Sequence, residues 1–236
     1  MTQYVFFGGT GRLGRAFLGA HQQWLAPSRN EVNITQWREV DRYLDAVRPT
    51  CVMHAAAVVG KQEAERDTVQ TYKVNVEGTN NIAQACLRYG IRLVYISSVS
   101  VFDGSHGPYR ETDTPIPAYF YGWTKLGGEI AVRMVGNSVI IRTDFFTPGE
   151  FKYSTVFIDH YSSKMSVSEL VEAIDTIAAS RLRGIIHVGR PRDTLYRLLE
   201  PYIPDIQGIR IQDSAMPDFP RDLSLDISLY QRLFTR

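Results

Sequence analysis

The chain of 236 residues has only two cysteines, Cys51 and Cys86, and each lies in an apolar stretch. Two cysteines cannot build a disulfide framework, so we expect both to be small residues of the core. No apolar segment approaches the roughly 18 residues that a membrane span requires. No basic leader precedes the first apolar run at residues 4–7. These absences predict a cytoplasmic protein without a membrane partner.

An excess of charge of either sign is also absent. The 26 Lys and Arg residues oppose 25 Asp and Glu residues, which leaves a formal net charge of +1. This balance excludes a chain-wide basic field for nucleic acid but allows a local anion site. The histidines show no metal-ligand spacing, so we expect no metal. The hydrophobic fraction of 44% is typical of a globular protein.

Apolar runs alternate with helical patterns along the first half of the chain. We expect Thr35 to be the N-cap of the second helix. Unbroken apolar strands that alternate with helices indicate a parallel sheet covered on both faces. The predicted fold class is therefore α/β, with a Rossmann-type, doubly wound parallel sheet. The predicted strands are 3–7, 24–26, 51–55, 91–97 and 138–142, and the predicted helices are 12–23, 35–48, 68–89 and 119–135.

The second half of the chain has a looser pattern. Ser166, with Glu169 three residues later, forms a capping-box pattern that opens a helix. We divide the chain at residue 142 and expect its two parts, residues 1–142 and 143–236, to pack as one compact unit. The predicted elements of this half are a helix over 166–181 and a strand over 184–188.

A glycine-rich loop, G-G-T-G-R-L-G over residues 8–14, lies directly between the first strand and the first helix. Gly8 permits a tight turn, Gly11 lets the backbone approach a pyrophosphate, and Gly14 lets the helix pack closely on the strand. The helix N-terminus offers free N–H groups and the positive end of its dipole to phosphates. The predicted dinucleotide contacts of this loop are Gly8, Thr10, Gly11, Arg12, Leu13 and Gly14.

Four further motifs follow the loop. They are His54-Ala55-Ala56-Ala57, Asn75-Val76-Glu77-Gly78-Thr79, Ser97-Ser98 and Tyr121-Gly122-Trp123-Thr124-Lys125. In this order, and with the G-x-x-G-x-x-G spacing of the loop, they resemble the extended short-chain dehydrogenase/reductase family. The resemblance implies that Ala55, Ala56 and Ala57 line the cofactor cleft, and that the catalytic residues are Ser98, Tyr121 and Lys125.

Tyr121 and Lys125 stand four residues apart on a predicted helix and therefore share one face. A nearby ammonium stabilises a phenolate, so we expect Lys125 to lower the pKa of Tyr121 from about 10 and to make it a general acid–base. The resemblance implies that Ser98 hydrogen-bonds the substrate carbonyl oxygen. It also implies that Lys125 binds the nicotinamide ribose and that Tyr121 contacts the cofactor.

The segment after the second predicted strand contains Arg29 and no acid before Glu31. Enzymes that use NAD usually carry an acid there for the ribose hydroxyl, whereas an arginine suits the 2′-phosphate of NADP. We therefore expect NADP (NADPH) as cofactor, with Arg29 and Arg12 as phosphate ligands. Asn33 and Ile34 fall where the family contacts adenine.

The run S-S-V-S-V-F-D-G over 97–104 is similar to the S-T-D-Y-V-F-D-G run of dTDP-4-dehydrorhamnose reductases, and residues 29–34 and 55–60 resemble GDP-fucose synthase. Both kinds of enzyme reduce the 4-keto group of a nucleotide-linked 6-deoxysugar. The resemblance thus implies an NADPH-dependent reductase of a nucleotide sugar, with residues 1–142 as its NADP-binding domain and residues 143–236 as a small, reduced substrate lobe. A homodimer is a further expectation. Two alternatives stay open: a nucleotide-sugar 4-epimerase, and a non-catalytic, NADP-binding regulatory subunit like the beta subunit of methionine adenosyltransferase.

Overall fold

The computed structural model describes residues 3–151 and 153–234. Its strands are β1 (Tyr4–Phe7), β2 (Cys51–His54), β3 (Arg92–Ile96), β4 (Ser138–Arg142), β5 (Phe145–Phe146), β6 (Thr155–Phe157), β7 (Tyr161–Ser162), β8 (Met165–Ser166), β9 (Gly184–His187), β10 (Asp193–Thr194) and β11 (Gln207–Ile209). Its α-helices are α1 (Arg12–Ala20), α2 (Trp37–Val47), α3 (Lys61–Arg66), α4 (Thr68–Tyr72), α5 (Thr79–Tyr89), α6 (Phe120–Arg133), α7 (Val167–Ala179), α8 (Leu195–Leu199) and α9 (Ser228–Phe234). Within these residues, no helix is long and apolar enough to cross a membrane.

The main sheet contains five parallel strands in the order β1-β2-β3-β4-β9. On the other side of β1, Leu25 forms a single parallel bridge with Val5, where the sequence predicts a full strand over 24–26. After β1 the chain passes along one side of this strand at Leu25 and then crosses to the other side of β1, where it forms β2. This reversal creates a switch point at the carboxyl end of β1, where ligands bind in doubly wound folds. The predicted fold class is confirmed.

Two layers of helices cover the main sheet, because alternate side chains of each strand point to opposite faces. Val94 of β3 joins a core with Phe17 of α1 and Ile174 of α7. Its neighbour Leu93 joins a second core with residues of α2, α5 and α6, among them Leu44. Every residue of β3 and β4 is buried. Burial on both faces explains why these strands read as unbroken apolar runs.

The start of α2 corrects one expectation from the sequence. Helix α2 begins at Trp37 with Gln36 at the N-cap position, so the prediction that Thr35 is the N-cap is wrong. The amide and hydroxyl of Thr35 instead donate to Asn33 Oδ1 at 3.2 and 3.0 Å. Asparagine side chains compete in this way with helix formation by closing a local turn.

The long helix predicted over 68–89 is present, but it changes geometry along its length. Helix α4 is followed by a π-helix over Lys73–Gly78 and then by α5. The C-cap residue of α5, Gly90, has a left-handed backbone conformation with a φ of 68°. The bulge brings the Asn75 side chain to both backbone groups of Val58. Such π-bulges are common where a helix serves a functional site. Helix α3 lies outside the predicted elements.

The second half of the chain contributes to the main sheet. The capping box of α7 is present, with Ser166 Oγ accepting from the Glu169 amide and Glu169 Oε2 accepting from the Ser166 amide. Helix α7 packs in the same core as α1, and β9 pairs with β4. The sheet therefore takes its last strand from beyond residue 142. The assignment of separate roles to 1–142 and 143–236 stays a prediction.

Two buried histidines make the stability of the fold sensitive to acid. Burial lowers the pKa of His54 to about 3, with the Lys125 charge acting in the same direction. Burial, together with the Arg142 charge, lowers the pKa of His187 to about 4. An unfolded histidine titrates near 6.5, so below that pH unfolding takes up protons and stability falls as the pH falls. At pH 5 the loss is about 2 kcal/mol for each histidine.

We expect the double variant His54→Gln/His187→Gln to lose less stability than the wild type between pH 7.5 and pH 5. Urea unfolding at both pH values measures the loss. The variant His106→Gln is the control, because His106 is exposed. Equal losses in the wild type and the double variant would contradict the assignment of the acid sensitivity to these two buried side chains.

Candidate functional site

The glycine loop has the shape that the sequence predicts for it. Gly8 has a φ of +104°, and a β-carbon there would lie 2.6 Å from the Ala56 nitrogen. A β-carbon at Gly14 would lie 2.3 Å from the Gly8 carbonyl oxygen. Neither position accepts a side chain, because a contact below 3.0 Å displaces the backbone it meets. The loop is therefore held tightly between β1 and the residues that follow β2.

The N-terminus of α1 is open to an anion. Gly11 is its N-cap residue, no side chain caps the helix, and its first turn contains no acid. Leu13 is 4% exposed and packs in the core beneath the loop, so only its backbone faces a ligand, while Thr10 is exposed. Free N–H groups at the positive end of a helix dipole suit a phosphate or pyrophosphate. This cradle fits a dinucleotide.

The two arginines predicted to bind phosphate lie in different surroundings. Arg29 is exposed, and the adjacent Ser28 amide donates to Glu31 Oε2 at 2.7 Å, which lowers the pKa of Glu31. The Arg12 guanidinium instead stacks on the Phe145 ring, 5.7 Å from its centroid. Its charge also lowers the pKa of Tyr121. Arg12 therefore lies towards the predicted catalytic residues.

Asn33 and Ile34, the predicted adenine contacts, are fixed by their neighbours. Asn33 Oδ1 already accepts two hydrogen bonds from Thr35, so the side-chain amide nitrogen is the atom left to meet a base. Ile34 is 8% exposed, and a β-carbon at Gly78 would lie 2.8 Å from its Cγ1. The Ile34 carbonyl also accepts from Asn81 Nδ2 at 2.8 Å.

The segment after β2 is held by Asn75. Asn75 Oδ1 accepts from the Val58 amide at 2.8 Å, and Asn75 Nδ2 donates to the Val58 carbonyl and to Thr124 Oγ1. The preceding residues Ala55, Ala56 and Ala57 are partly buried beside Gly8. Asn75 thus connects the segment next to the glycine loop with α6, the helix that carries Tyr121.

The three predicted catalytic residues meet at the carboxyl ends of β3 and β4. The Ser98 hydroxyl lies beside that of Tyr121, and the contact lowers the pKa of Tyr121. Gly122 allows this approach, because a β-carbon there would lie 2.0 Å from the Ser100 carbonyl oxygen. Lys125 is 3% exposed, and its Nζ donates to the Ile96 carbonyl at 2.7 Å.

The protonation states of this set differ from the expectation. Burial raises the pKa of Tyr121 to about 12, although Ser98 and Arg12 lower it. Burial also lowers the pKa of Lys125 to about 7 against the opposing effect of Glu129. The pKa of Tyr121 thus lies above 10, and the groups that lower it are Ser98 and Arg12, whereas the lowering expected from Lys125 together with the charge of an oxidised nicotinamide stays a prediction. The Lys125 ammonium faces the Ile96 carbonyl and lies 4.2 Å from the centroid of the Tyr95 ring.

Several residues of the site were missed by the sequence analysis. The charge of Asp144 raises the pKa of Tyr121, and the Asp144 carboxylate accepts from Lys164 Nζ at 2.6 Å. Glu129 lies one helical turn beyond Lys125 and is 1% exposed. The i, i+4 spacing from Lys125 was the available signal for Glu129, whereas no local pattern pairs Asp144 with Lys164. Within residues 3–151 and 153–234, no group of three or more His, Cys, Asp or Glu residues could hold a metal.

Known proteins with related sequences are named as dTDP-sugar reductases and as the beta subunit of methionine adenosyltransferase 2. The dTDP-4-dehydrorhamnose reductase of Aggregatibacter actinomycetemcomitans is 32% identical over 158 residues, which cover 64% of this chain and 53% of that protein. The methionine adenosyltransferase 2 subunit beta of Pongo abelii is 37% identical over 136 residues, which cover 53% of this chain and 41% of that protein. The chain thus spans about half the length of the relatives it matches.

The fold has close counterparts among solved structures. The dTDP-4-dehydrorhamnose reductase of Bacillus anthracis, solved in complex with NADP, superimposes on this chain with a TM-score of 0.85 at 22% sequence identity. The superposition covers 100% of this chain and 92% of the reductase chain. The family model described as the RmlD substrate binding domain matches residues 2–168. The chain therefore belongs to the RmlD substrate binding domain family, which confirms the resemblance inferred from its motifs.

Proposed function

We propose that this chain is an NADPH-dependent reductase of a nucleotide-linked 4-keto-6-deoxysugar, with Tyr121 as the proton donor. The observation that carries the proposal is geometric: Lys125 Nζ donates to the Ile96 carbonyl and Gly122 lies against Ser100, so that Ser98, Tyr121 and Lys125 are at the same edge of the sheet as the glycine loop. The named reductases with related sequences support the same substrate class. The glycine loop and Arg29 would hold the dinucleotide, with Asn33 and Ile34 near its adenine.

The roles of the catalytic residues follow from their protonation. NADPH held by the glycine loop and Arg29 would supply a hydride for the carbonyl carbon of the sugar. The carbonyl oxygen then takes the proton of the Tyr121 hydroxyl, which the raised pKa keeps in place at neutral pH. The Ser98 hydroxyl stabilises the developing alkoxide. In its charged form, Lys125 stabilises the phenolate that remains and binds the nicotinamide ribose.

One alternative has an observation in its favour. The relation to subunit beta of methionine adenosyltransferase fits a non-catalytic, dinucleotide-binding role on the same scaffold. The presence of Ser98, Tyr121 and Lys125 together favours catalysis. The 4-epimerase alternative has a UDP-glucose 4-epimerase from Thermus thermophilus as a fold counterpart at 21% identity, which concerns the fold alone. A homodimer and a cytoplasmic location remain proposals.

The variant Tyr121→Phe tests the proton donor. Loss of the hydroxyl should lower turnover by a factor on the order of 10² or more, the usual scale for a general acid–base, while cofactor affinity stays unchanged. Consumption of NADPH absorbance with a panel of nucleotide-sugar ketones measures turnover. Tyr119→Phe is the matched control, because it keeps the ring that lies 4.1 Å from Lys61 Nζ. Turnover of Tyr121→Phe near that of the wild type would favour the regulatory role.

Lys125→Ala should impair two functions at once. We expect lower turnover, because the charged form of Lys125 stabilises the Tyr121 phenolate, and weaker cofactor binding, because its ammonium contacts the ribose. Calorimetric titration of NADP and steady-state kinetics measure the two effects separately. Normal cofactor affinity in this variant would contradict the ribose contact and leave only the effect on Tyr121.

Arg29→Ala tests the choice of cofactor. A charge-assisted contact with the 2′-phosphate is worth roughly 1.5–3 kcal/mol, or about ten- to a hundredfold in affinity. The variant should bind NADPH that much more weakly and NADH almost unchanged, as calorimetric titration would show. Arg133→Ala is the control, since Arg133 is exposed at the far end of α6. Equal affinities of the wild type for both cofactors would contradict the NADPH assignment.

A further inference from the structure

Glu129 forms a buried polar cluster with two residues that the proposed reaction does not use. Arg142, also 1% exposed, donates from Nε to Glu129 Oε1 at 3.0 Å and from Nη2 to Oε2 at 2.8 Å. Ser97 Oγ donates a third hydrogen bond to Oε1 at 2.6 Å. When an ion pair is buried, the free energy lost with the hydration of the two charges is about as large as the free energy gained from their attraction. Stability alone is therefore a weak reason for this pair.

The cluster is part of a regular set of contacts between α6 and the end of β3. Residues on three successive turns of α6 each contact one of three consecutive residues of the strand end, so the helix fixes the strand at three points. The contact nearest the ligand edge is made by the proposed proton donor. The three pairs are Tyr121 with Ser98, Glu129 with Ser97, and Lys125 with Ile96.

The same cluster determines the charges around Lys125. Glu129 supplies the negative charge that raises the pKa of Lys125 against the effect of burial. Arg142 neutralises part of that charge through its two hydrogen bonds with Glu129. The titratable groups that face Lys125 or this ion pair are His54 on β2, Tyr95 on β3, Tyr121 and Glu129 on α6, Arg142 on β4 and His187 on β9.

We propose that Glu129 is a positioning residue: its carboxylate, buried one helical turn from Lys125 on the same face of α6, favours the charged ammonium of Lys125 and, through the hydrogen bond from Ser97, fixes the strand end that carries Ser98. The catalytic meaning of this inference rests on the proposed function. Its statement about the charge of Lys125 applies equally to the protein without a substrate, so the two can fail separately.

Titration of Lys125 tests the charge directly. The chain has five lysines, so ¹³C labelling of the lysine ε-carbons resolves Lys125, and the spectrum of Lys125→Met assigns it. Glu129→Gln keeps the shape of the side chain but removes its charge, so the titration midpoint of Lys125 should fall by about one pH unit or more. Arg142→Gln leaves the carboxylate unopposed, so the midpoint should rise. Because the two shifts are opposite, the pair of variants separates an effect of charge from a general loss of structure, which would move the midpoint in the same direction in both.

The pH profile of NADPH consumption tests the consequence for the reaction. In Glu129→Gln, the fall in turnover at alkaline pH should begin at a lower pH, because Lys125 loses its proton earlier. Ser97→Ala removes the hydrogen bond from Ser97 to Glu129 without a change in charge. Turnover should therefore fall, while the pH at which turnover declines stays the same. Asp41→Asn is the matched control, because it removes the carboxylate of the ion pair between Asp41 of α2 and Arg88 of α5.

An unchanged titration of Lys125 in both Glu129→Gln and Arg142→Gln, together with reduced stability to urea, would overturn the proposal. Those results would leave the ion pair with a structural role alone. A wild-type protein that reduces no nucleotide-sugar ketone would contradict the proposed function, and the lysine titration would still decide whether Glu129 sets the charge of Lys125.

Discussion

At the carboxyl edge of the main sheet, backbone segments approach one another more closely than a β-carbon permits. Gly8 lies against Ala56, Gly14 lies against Gly8, and Gly122 lies against Ser100. These contacts join the glycine loop, the end of β2, the end of β3 and the start of α6. Because protein interiors are close-packed, a single added methyl group at such a contact must displace a whole segment. The geometry of the cleft therefore depends on residues that have no side chain.

The close packing also determines the chemistry of the edge, because it removes water from the ionisable groups. Burial favours the neutral forms of both Tyr121 and Lys125, which have pKa values of about 12 and about 7. Charged neighbours act against this effect of burial: Arg12 lowers the pKa of Tyr121, and Glu129 raises the pKa of Lys125. The protonation of the edge is therefore a balance between close packing, which favours neutral groups, and a few buried or partly buried charges.

The sequence predicts those features that depend on local pattern. The parallel strands and the capping box at Ser166 follow from periodicity and from side chains close in sequence. The N-cap of α2 was missed because two local patterns compete, and the turn closed by Asn33 prevails over capping by Thr35. The pKa of Tyr121 was missed because burial depends on tertiary packing. Motif spacing identified neighbours on one helix face but not where their charged atoms point.

The second half of the chain meets the candidate site at residues for which the sequence offers little guidance. The family model ends at residue 168, while the Bacillus anthracis fold covers the whole chain. Phe145 packs under Arg12, and the Asp144–Lys164 ion pair lies near Tyr121. Residues after β4 therefore shape the surroundings of Arg12 and Tyr121, although no local motif marks them in the sequence. The reason is physical: these contacts join segments that are far apart along the chain, so they arise only when β4, α1 and α6 have packed together.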